Sequence, residues 1–526
     1  MSHVELYDTT LRDGAQYEGI SFSVEDKINI LKLIDDLGIH YVEGGWPGSN
    51  PKDAEFFERA KLIHLKNTTL TAFGSTRRAN VKVDQDTQIK ALLDAETEII
   101  TLVGKSWDLH VTDILETSLE ENLKMIEDSI SYLCNKGRKV FFDAEHFFDG
   151  YKYNPQYALK ILEVAAKAGA SCVILCDTNG GAIPQDIVKT INIIKNSIHI
   201  NIGIHTHNDV DMAVASSLAA FDAGATQIQG TINGYGERCG NANLISIIAN
   251  LKLKKDINCV SDKQLADLAR VSRNVAEIAN MPLIINQPYV GMTAFAHKGG
   301  LHASAVQKVE RSYQHITPSA VGNENRVLIS ELSGRSNVLW KAEEKMGLKI
   351  APQQATELVS MIKIKENEGY QYEGAEASFE LLVLRSMEGY NSPFDLIDFM
   401  TIVEKQSVNI NSQVMVKISV NGSEMHTAAA STQGPVNALD NALRKALLGF
   451  YPHLEMVRLN DYKVRVVDQH NGTGSIVRVL IESTDGEQTW STVGCSNNII
   501  EASWIALSDS LEWWLLQTGM REQLNN

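Results

Sequence analysis

At 526 residues the chain is long enough for about three or four structural units, and 44% hydrophobic with 21% charged residues gives each a core and excludes a disordered chain. Its 48 basic against 65 acidic residues leave a net charge of −17, which excludes nucleic acid and anionic membranes as general partners, because phosphates are met by clustered Lys and Arg. Six cysteines without a CxxC pair, a start (MSHVELYDTTLRDG) unlike a secretory leader, and no apolar run near ~18 residues predict a soluble cytoplasmic protein with reduced thiols and no membrane partner.

In chain order, eight short β-branched and apolar runs come first: Val4–Tyr7, His40–Glu43, Thr69–Phe73, Glu98–Val103, Lys139–Ala144, Cys172–Cys176, Ile200–Ile204 and Thr226–Thr231. Between them lie helix-period stretches such as Val24–Leu37, Leu119–Asn135, Pro155–Ala168 and Met212–Ala223, with Gly38, Gly137, Gly169 and Gly224 placed as C-caps. Eight strand–helix alternations predict a closed (β/α)8 barrel. An open doubly wound sheet more often carries a Gly-rich loop after its first strand, and DTTLRDGAQ lacks GxGxxG. A further helix is predicted from Ser261 to Met281, so the barrel domain is set at 1–280. Residues 281–370, which include AFAHKGGLHASAV, read as a helical linker of short helices and polar loops, closing near Glu366–Gly374.

The remainder, 371–526, contains an internal repeat at an offset of 64: Asn421-Gly422 meets Asp485-Gly486, Thr427 meets Ser491, and Ala438, Ala442 and Leu443 meet Ala502, Ala506 and Leu507. Each copy reads as a hairpin, a further strand and an amphipathic helix, an α+β ββα repeat. Dimerisation and small-ligand sensing are both open for it.

Polar residues gather where barrel strands end, as a catalytic mouth requires. They are Arg12-Asp13, Glu43, Asp143 and Glu145, Asp177-Thr178, HTHND from His205, and NGYGER followed by Asn241. His205 and His207, two apart on an extended strand end, face the same way. With the Asp13 carboxylate they make a divalent-metal site with open positions, to which Asn241 adds a neutral oxygen. Arg12 is placed to stabilise developing negative charge, or else to pair with Glu43 or Glu145. Asp143 and Glu145 share one face of strand five, and one of them can serve as a base. His302 lies in a Gly-rich loop and Tyr313 follows it; spacing alone gives neither a catalytic role.

DTTLRDGAQ, HTHND and NGYGERCGNANL resemble the 2-isopropylmalate synthase, homocitrate synthase and citramalate synthase family over nearly the whole chain, and AFAHKGGLHASAV and VLISELSGRSNV look most like its long (R)-citramalate synthase branch. The resemblance implies an acyltransferase that condenses acetyl-CoA with pyruvate and water, a step of isoleucine biosynthesis via 2-oxobutanoate. It implies a divalent metal (Mg, Mn or Zn) on Asp13, His205, His207 and Asn241, with Arg12 on the 2-oxo acid and Thr178 on its carboxylate. Glu145 then works with His302 and Tyr313 at the acetyl-CoA end, the linker lids the partner's active site in a homodimer, and the repeat domain senses an end product, isoleucine. Asp143, assigned to the oxo-acid pocket, stands where relatives have Tyr or Ser. Contacts to the CoA phosphates are unassigned. The alternatives are 2-oxoisovalerate as acceptor (a 2-isopropylmalate synthase), 2-oxoglutarate with Lys105 as its only extra cation, and a metal-dependent lyase or aldolase on the same barrel.

Overall fold

Strand residues alternate between two environments, and the alternation closes the sheet. The computed structural model describes residues 4–298, 302, 305–306, 308–327, 335–406, 409–420, 422–467 and 474–525. In it β1 (Glu5–Asp8), β2 (Tyr41–Glu43), β3 (Thr69–Ser75), β4 (Ile99–Lys105), β5 (Lys139–Glu145), β6 (Cys172–Asp177), β7 (Asn201–Thr206) and β8 (Gln227–Gly230) form a closed parallel barrel in sequence order. β8 pairs with β1 to complete it. One set of strand residues, including Leu6, Val42, Ile100, Phe142, Val173 and Ile204, joins the large core shared with the helices. The intervening set, including Tyr7, Tyr41, Phe141, Cys172 and Ile174, forms a separate cluster inside the barrel.

The helix Val24–Leu37 has the bounds its sequence predicts because both ends are specified locally. Ser23 and Asp26 form a reciprocal capping box, and Gly38 takes the left-handed conformation at φ 83°. β3 to β7 run one or two residues further at their C-terminal ends than the apolar runs, while β8 is shorter than predicted by one residue at each end. The parallel ladder continues into the polar residues, pairing Lys105 with Glu145 and Asp177 with Thr206. The helix predicted from Ser261 to Met281 is instead two, Asp262–Leu265 and Leu268–Ile278. A capping box of Ser261 and Gln264 closes the first as a single turn.

The chain divides into two compact units, Met1–Phe295 with His315–Asn325, and Ala296–Gln314 with Arg326–Asn526. In the second, β9 (Ala296–His297) pairs in parallel with β10 (Arg326–Val327). Where short helices and loops are predicted, two longer helices occur, Arg335–Met346 and Pro352–Asn367. They bury Val338, Ala342, Leu358 and Ile362 together with Phe379.

The repeat is expressed as two βββα copies. β11 (Asp395–Gln406), β12 (Asn409–Val420) and β13 (Ser423–Ser431) precede the helix Pro435–Leu447, and β14 (Arg458–Val466), β15 (Val477–Thr484) and β16 (Thr489–Ser496) precede the helix Ile499–Asn525. Each copy has its own three-stranded antiparallel sheet, and one core gathers Val416, Ile418, Leu443, Val479, Ile481 and Leu507. Thr427 Oγ1 donates to the Ala442 carbonyl at 2.7 Å. The matching bond comes from Thr492 to Ala506, also 2.7 Å, one residue beyond the Ser491 that a constant offset pairs with Thr427. Of the first predicted turn, Asn421 lies outside the described residues. Among the described residues no helix is long and apolar enough to cross a membrane.

Candidate active site

The strand ends converge on a cavity of about 640 Å³ lined by Arg12, Asp13, Asp143, Glu145, Thr178, His205 and His207 among others. Asp13 lies in the loop after β1, His205 is on β7, and His207 follows directly after its last residue. Their Nε2 atoms lie 3.3 Å apart, and Asp13 Oδ2 is 3.2 Å from His205 Nε2 and 3.8 Å from His207 Nε2. Asn241, held opposite His207 by an isolated antiparallel bridge, places Nδ2 2.9 Å from Asp13 Oδ2. Its Oδ1 is buried without a partner, as is His207 Nδ1.

This donor set fits a divalent cation. Burial opposes ionisation of Asp13, but Arg12 and the histidines hold it well below the usual carboxylate range. Burial and the neighbouring His205 push His207 down to about 4, which keeps its imidazole neutral. Burial also lowers His205, yet Asp13 wins and holds it above its ordinary value, as it would a proton standing where a cation can sit. Two imidazole nitrogens and a carboxylate oxygen all fall within 4.8 Å of one another. An amide whose orphaned oxygen reaches the cluster on a side-chain flip completes an N₂O₂ set.

Arg12 sits against this cluster in a fixed pose. Its Nε donates to Glu43 Oε1 at 2.5 Å, its Nη1 is 3.7 Å from Asp13 Oδ2, and its guanidinium lies 4.0 Å over the Phe73 ring. Glu43 is fully buried. It accepts from Tyr7 Oη at 3.2 Å, and that hydroxyl also bonds Thr71 and Thr101 at 2.8 and 2.7 Å. A polar column through β1 to β4 thus supports the guanidinium. Of its two expected partners, Arg12 takes Glu43, while Glu145 pairs with Lys105.

Thr178 accepts the His146 N–H at 2.9 Å, with His146 itself in the left-handed region at φ 55°. Arg238 clasps this side of the mouth. It donates to the Thr178 carbonyl at 2.7 Å and to both Asp209 oxygens at 2.8 and 2.9 Å. His302 and Tyr313 belong to the second unit, where their rings stack with centroids 4.3 Å apart. Residues 299–301 of HKGGLH and 328–334 of VLISELSGRSNV lie outside the described residues.

Sequence reasoning overlooks Gln229. It is fully buried on β8, with Oε1 2.9 Å from His205 Nδ1 and Nε2 donating to Asp143 Oδ1 at 3.2 Å. Its signal is the run QIQG, in which polar residues recur at period two and so share one face of the strand.

Three family profiles tile the chain: HMGL-like over 3–275, homocitrate synthase post-HMGL domain-like over 289–369, and the LeuA allosteric (dimerisation) domain over 373–515. The (R)-citramalate synthases of Aquifex aeolicus and Geobacter sulfurreducens are 53% and 54% identical, each over 98% of this chain and 98% of their own. The 2-isopropylmalate synthase of Pyrococcus furiosus is 31% identical over 95% of this chain and 97% of its own. Among solved structures, the HMG-CoA lyase of Brucella melitensis aligns with TM-score 0.46 at 16% identity, over 53% of this chain and 100% of its own. With its cluster of Asp13, His205 and His207 at the barrel mouth, the first unit is an HMGL-like catalytic barrel, of a class that is generally metal-dependent. More narrowly, the chain belongs to the (R)-citramalate synthase branch of the 2-isopropylmalate synthase and homocitrate synthase family.

Proposed function

We infer that the protein condenses acetyl-CoA with pyruvate and water to give (R)-citramalate and CoA. The observation that carries this is near-full-length likeness to (R)-citramalate synthases at 53% and 54% identity, against 31% for a 2-isopropylmalate synthase. A divalent ion (Mg, Mn or Zn) held by Asp13, His205, His207 and Asn241 would supply a Lewis acid to the ketone of the oxo acid.

The chain's own residues do the rest. Arg12, pinned by Glu43 and Phe73, meets the keto oxygen and brings positive charge to where the alkoxide develops, without moving. Thr178 already accepts from His146, so its own proton serves the pyruvate carboxylate. Glu145, braced by Lys105, works with His302 and Tyr313 at the acetyl-CoA end, and either Glu145 or His302 takes a methyl proton, a step where a positioned base contributes about 10²–10⁴-fold. The enolate carbon then bonds to the keto carbon as the carbonyl π bond opens, and the resulting alkoxide takes up a proton, which balances the one removed by the base. Water cleaves the thioester, releasing CoA with its thiol protonated.

The same inference takes the protein as a cytoplasmic homodimer in which the linker, 281–370, lids the partner's mouth and residues 371–526 sense isoleucine. The LeuA allosteric (dimerisation) profile over 373–515 supports a dimer and an allosteric role for the repeat domain.

The test is CoA release, followed with a thiol reagent, from acetyl-CoA plus pyruvate, 2-oxobutyrate, 2-oxoisovalerate or 2-oxoglutarate, with added Mg²⁺ or Mn²⁺ and with EDTA. Metal-dependent release favouring pyruvate is expected. A preference for 2-oxoisovalerate would move the protein to the 2-isopropylmalate reaction, and no release with any acid would reject the condensation.

A further inference from the structure

A histidine that binds a cation through Nε2 must carry its proton on Nδ1, so whatever faces Nδ1 decides whether the ring can ligate. At His205 that atom faces Gln229 Oε1 at 2.9 Å. A glutamine amide is ambiguous, since turned over it would present NH₂ and favour the tautomer that cannot bind metal through Nε2. Here the far end of the amide bears on the ambiguity: Gln229 Nε2 is 3.2 Å from Asp143 Oδ1; burial pushes that carboxyl up to about 7, and in its ionised form it only accepts. Gln229 is fully buried and Asp143 is 3% exposed, so bulk water does not compete at either contact.

We propose that Asp143 and Gln229 form a relay that keys the tautomer of His205: Asp143 orients the Gln229 amide, and Gln229 in turn holds the His205 proton on Nδ1. Both are positioning residues. The relay spans the barrel interior from β5 to β8 and gives Asp143 a task other than contacting the oxo acid. The inference rests on Asp13, His205, His207 and Asn241 being the ligands, as proposed above.

Calorimetric titration of Mn²⁺ and of Zn²⁺ into the metal-free full-length protein, without substrates, tests it. Gln229→Leu removes the acceptor and is expected to weaken metal binding about 10–100-fold. Gln229→Glu keeps an acceptor toward Nδ1 but sets a second carboxylate against Asp143, so it is made together with Asp143→Asn, whose amide can donate to it, and the double variant is expected to bind metal more tightly than Gln229→Leu. Asp143→Asn, which can donate as well as accept, is expected to weaken binding in the same direction as Gln229→Leu. Melting temperatures of the metal-free variants identify any that fail to fold, and Gln229→Met then replaces Gln229→Leu. Parent-like affinity in Gln229→Leu or Gln229→Met would overturn the relay while leaving the metal site standing. An Asp143→Asn protein with parent-like affinity but a raised KM for pyruvate would return Asp143 to the substrate. No binding of either metal by the parent would remove the ligand set, and the relay with it.

Discussion

Arg12 is the residue on which the proposed chemistry turns, and its surroundings say how it should respond to change. Its contacts to Glu43 and Phe73 fix the guanidinium before substrate arrives. Arg12→Ala should therefore lower kcat about 10²–10³-fold, the usual cost of one preorganised oxyanion donor, with a much smaller change in acetyl-CoA binding. Steady-state CoA release reads both, and near-parental kcat would refute the role. Asp8 offers a stability test away from the metal cluster. Burial outweighs its bonds from Thr10 and pushes its carboxyl up to about 7. A raised carboxyl binds its proton more tightly folded than unfolded, so the stability it confers is complete below the ordinary carboxylate range and is lost as pH rises to about 7. Asp8→Asn should accordingly raise the melting temperature at about pH 8 and change it little at about pH 4, measured by calorimetry at both. Asp13, His205 and His207 were legible because strand-end position, period and ligand chemistry agree. Gln229 was not, since a neutral amide in a strand carries no ligand signature and its meaning depends on β5 lying opposite.

Among the elements, the eight barrel strands were legible from apolar runs and the helices from their caps, as at Ser23 and Gly38. The strand ends were not, because the ladder is held by backbone pairing that ignores polarity. Lys105, Glu145, His205 and Thr206 thereby sit on sheet rather than on loops, which gives them the stiffness a site needs. The repeat was visible at residue level, while the one-residue slip from Ser491 to Thr492 follows from packing. The two copies also differ in tolerance. A methyl at Gly494 on β16 would stand 2.1 Å from the Ala502 carbonyl oxygen, whereas the position 64 residues earlier is already Ala430. Gly494→Ala should destabilise the second unit by about 1–3 kcal/mol, the cost of overpacking. Urea denaturation followed by tryptophan fluorescence measures this, and an unchanged midpoint would contradict the tight contact. Metal affinity should be untouched.

The whole chain carries separate cores, one in the barrel and others in the linker and the repeat domain. Calorimetry should therefore resolve more than one unfolding transition. Mn²⁺ with pyruvate should raise the barrel's transition and isoleucine that of the repeat domain, each through binding only the folded form. A single transition moved equally by every ligand would contradict this division. A final consequence comes from the Arg238 clasp. By joining Thr178 to Asp209, it stitches together the segments that follow β6, β7 and β8, the rim nearest the histidines. The rim at the ends of β3 and β4 contributes Ser75, Thr76 and Leu115 to the same cavity and has a clasp of its own, in which Arg77 pairs with Glu121 and Asp128 of the helix Leu119–Asn135. With an arginine bracing each side, the width of the mouth is set by charge pairs in the loops, so a change in the size of the molecule admitted is accommodated by exchanging the side chains that line the cavity rather than by spreading its walls.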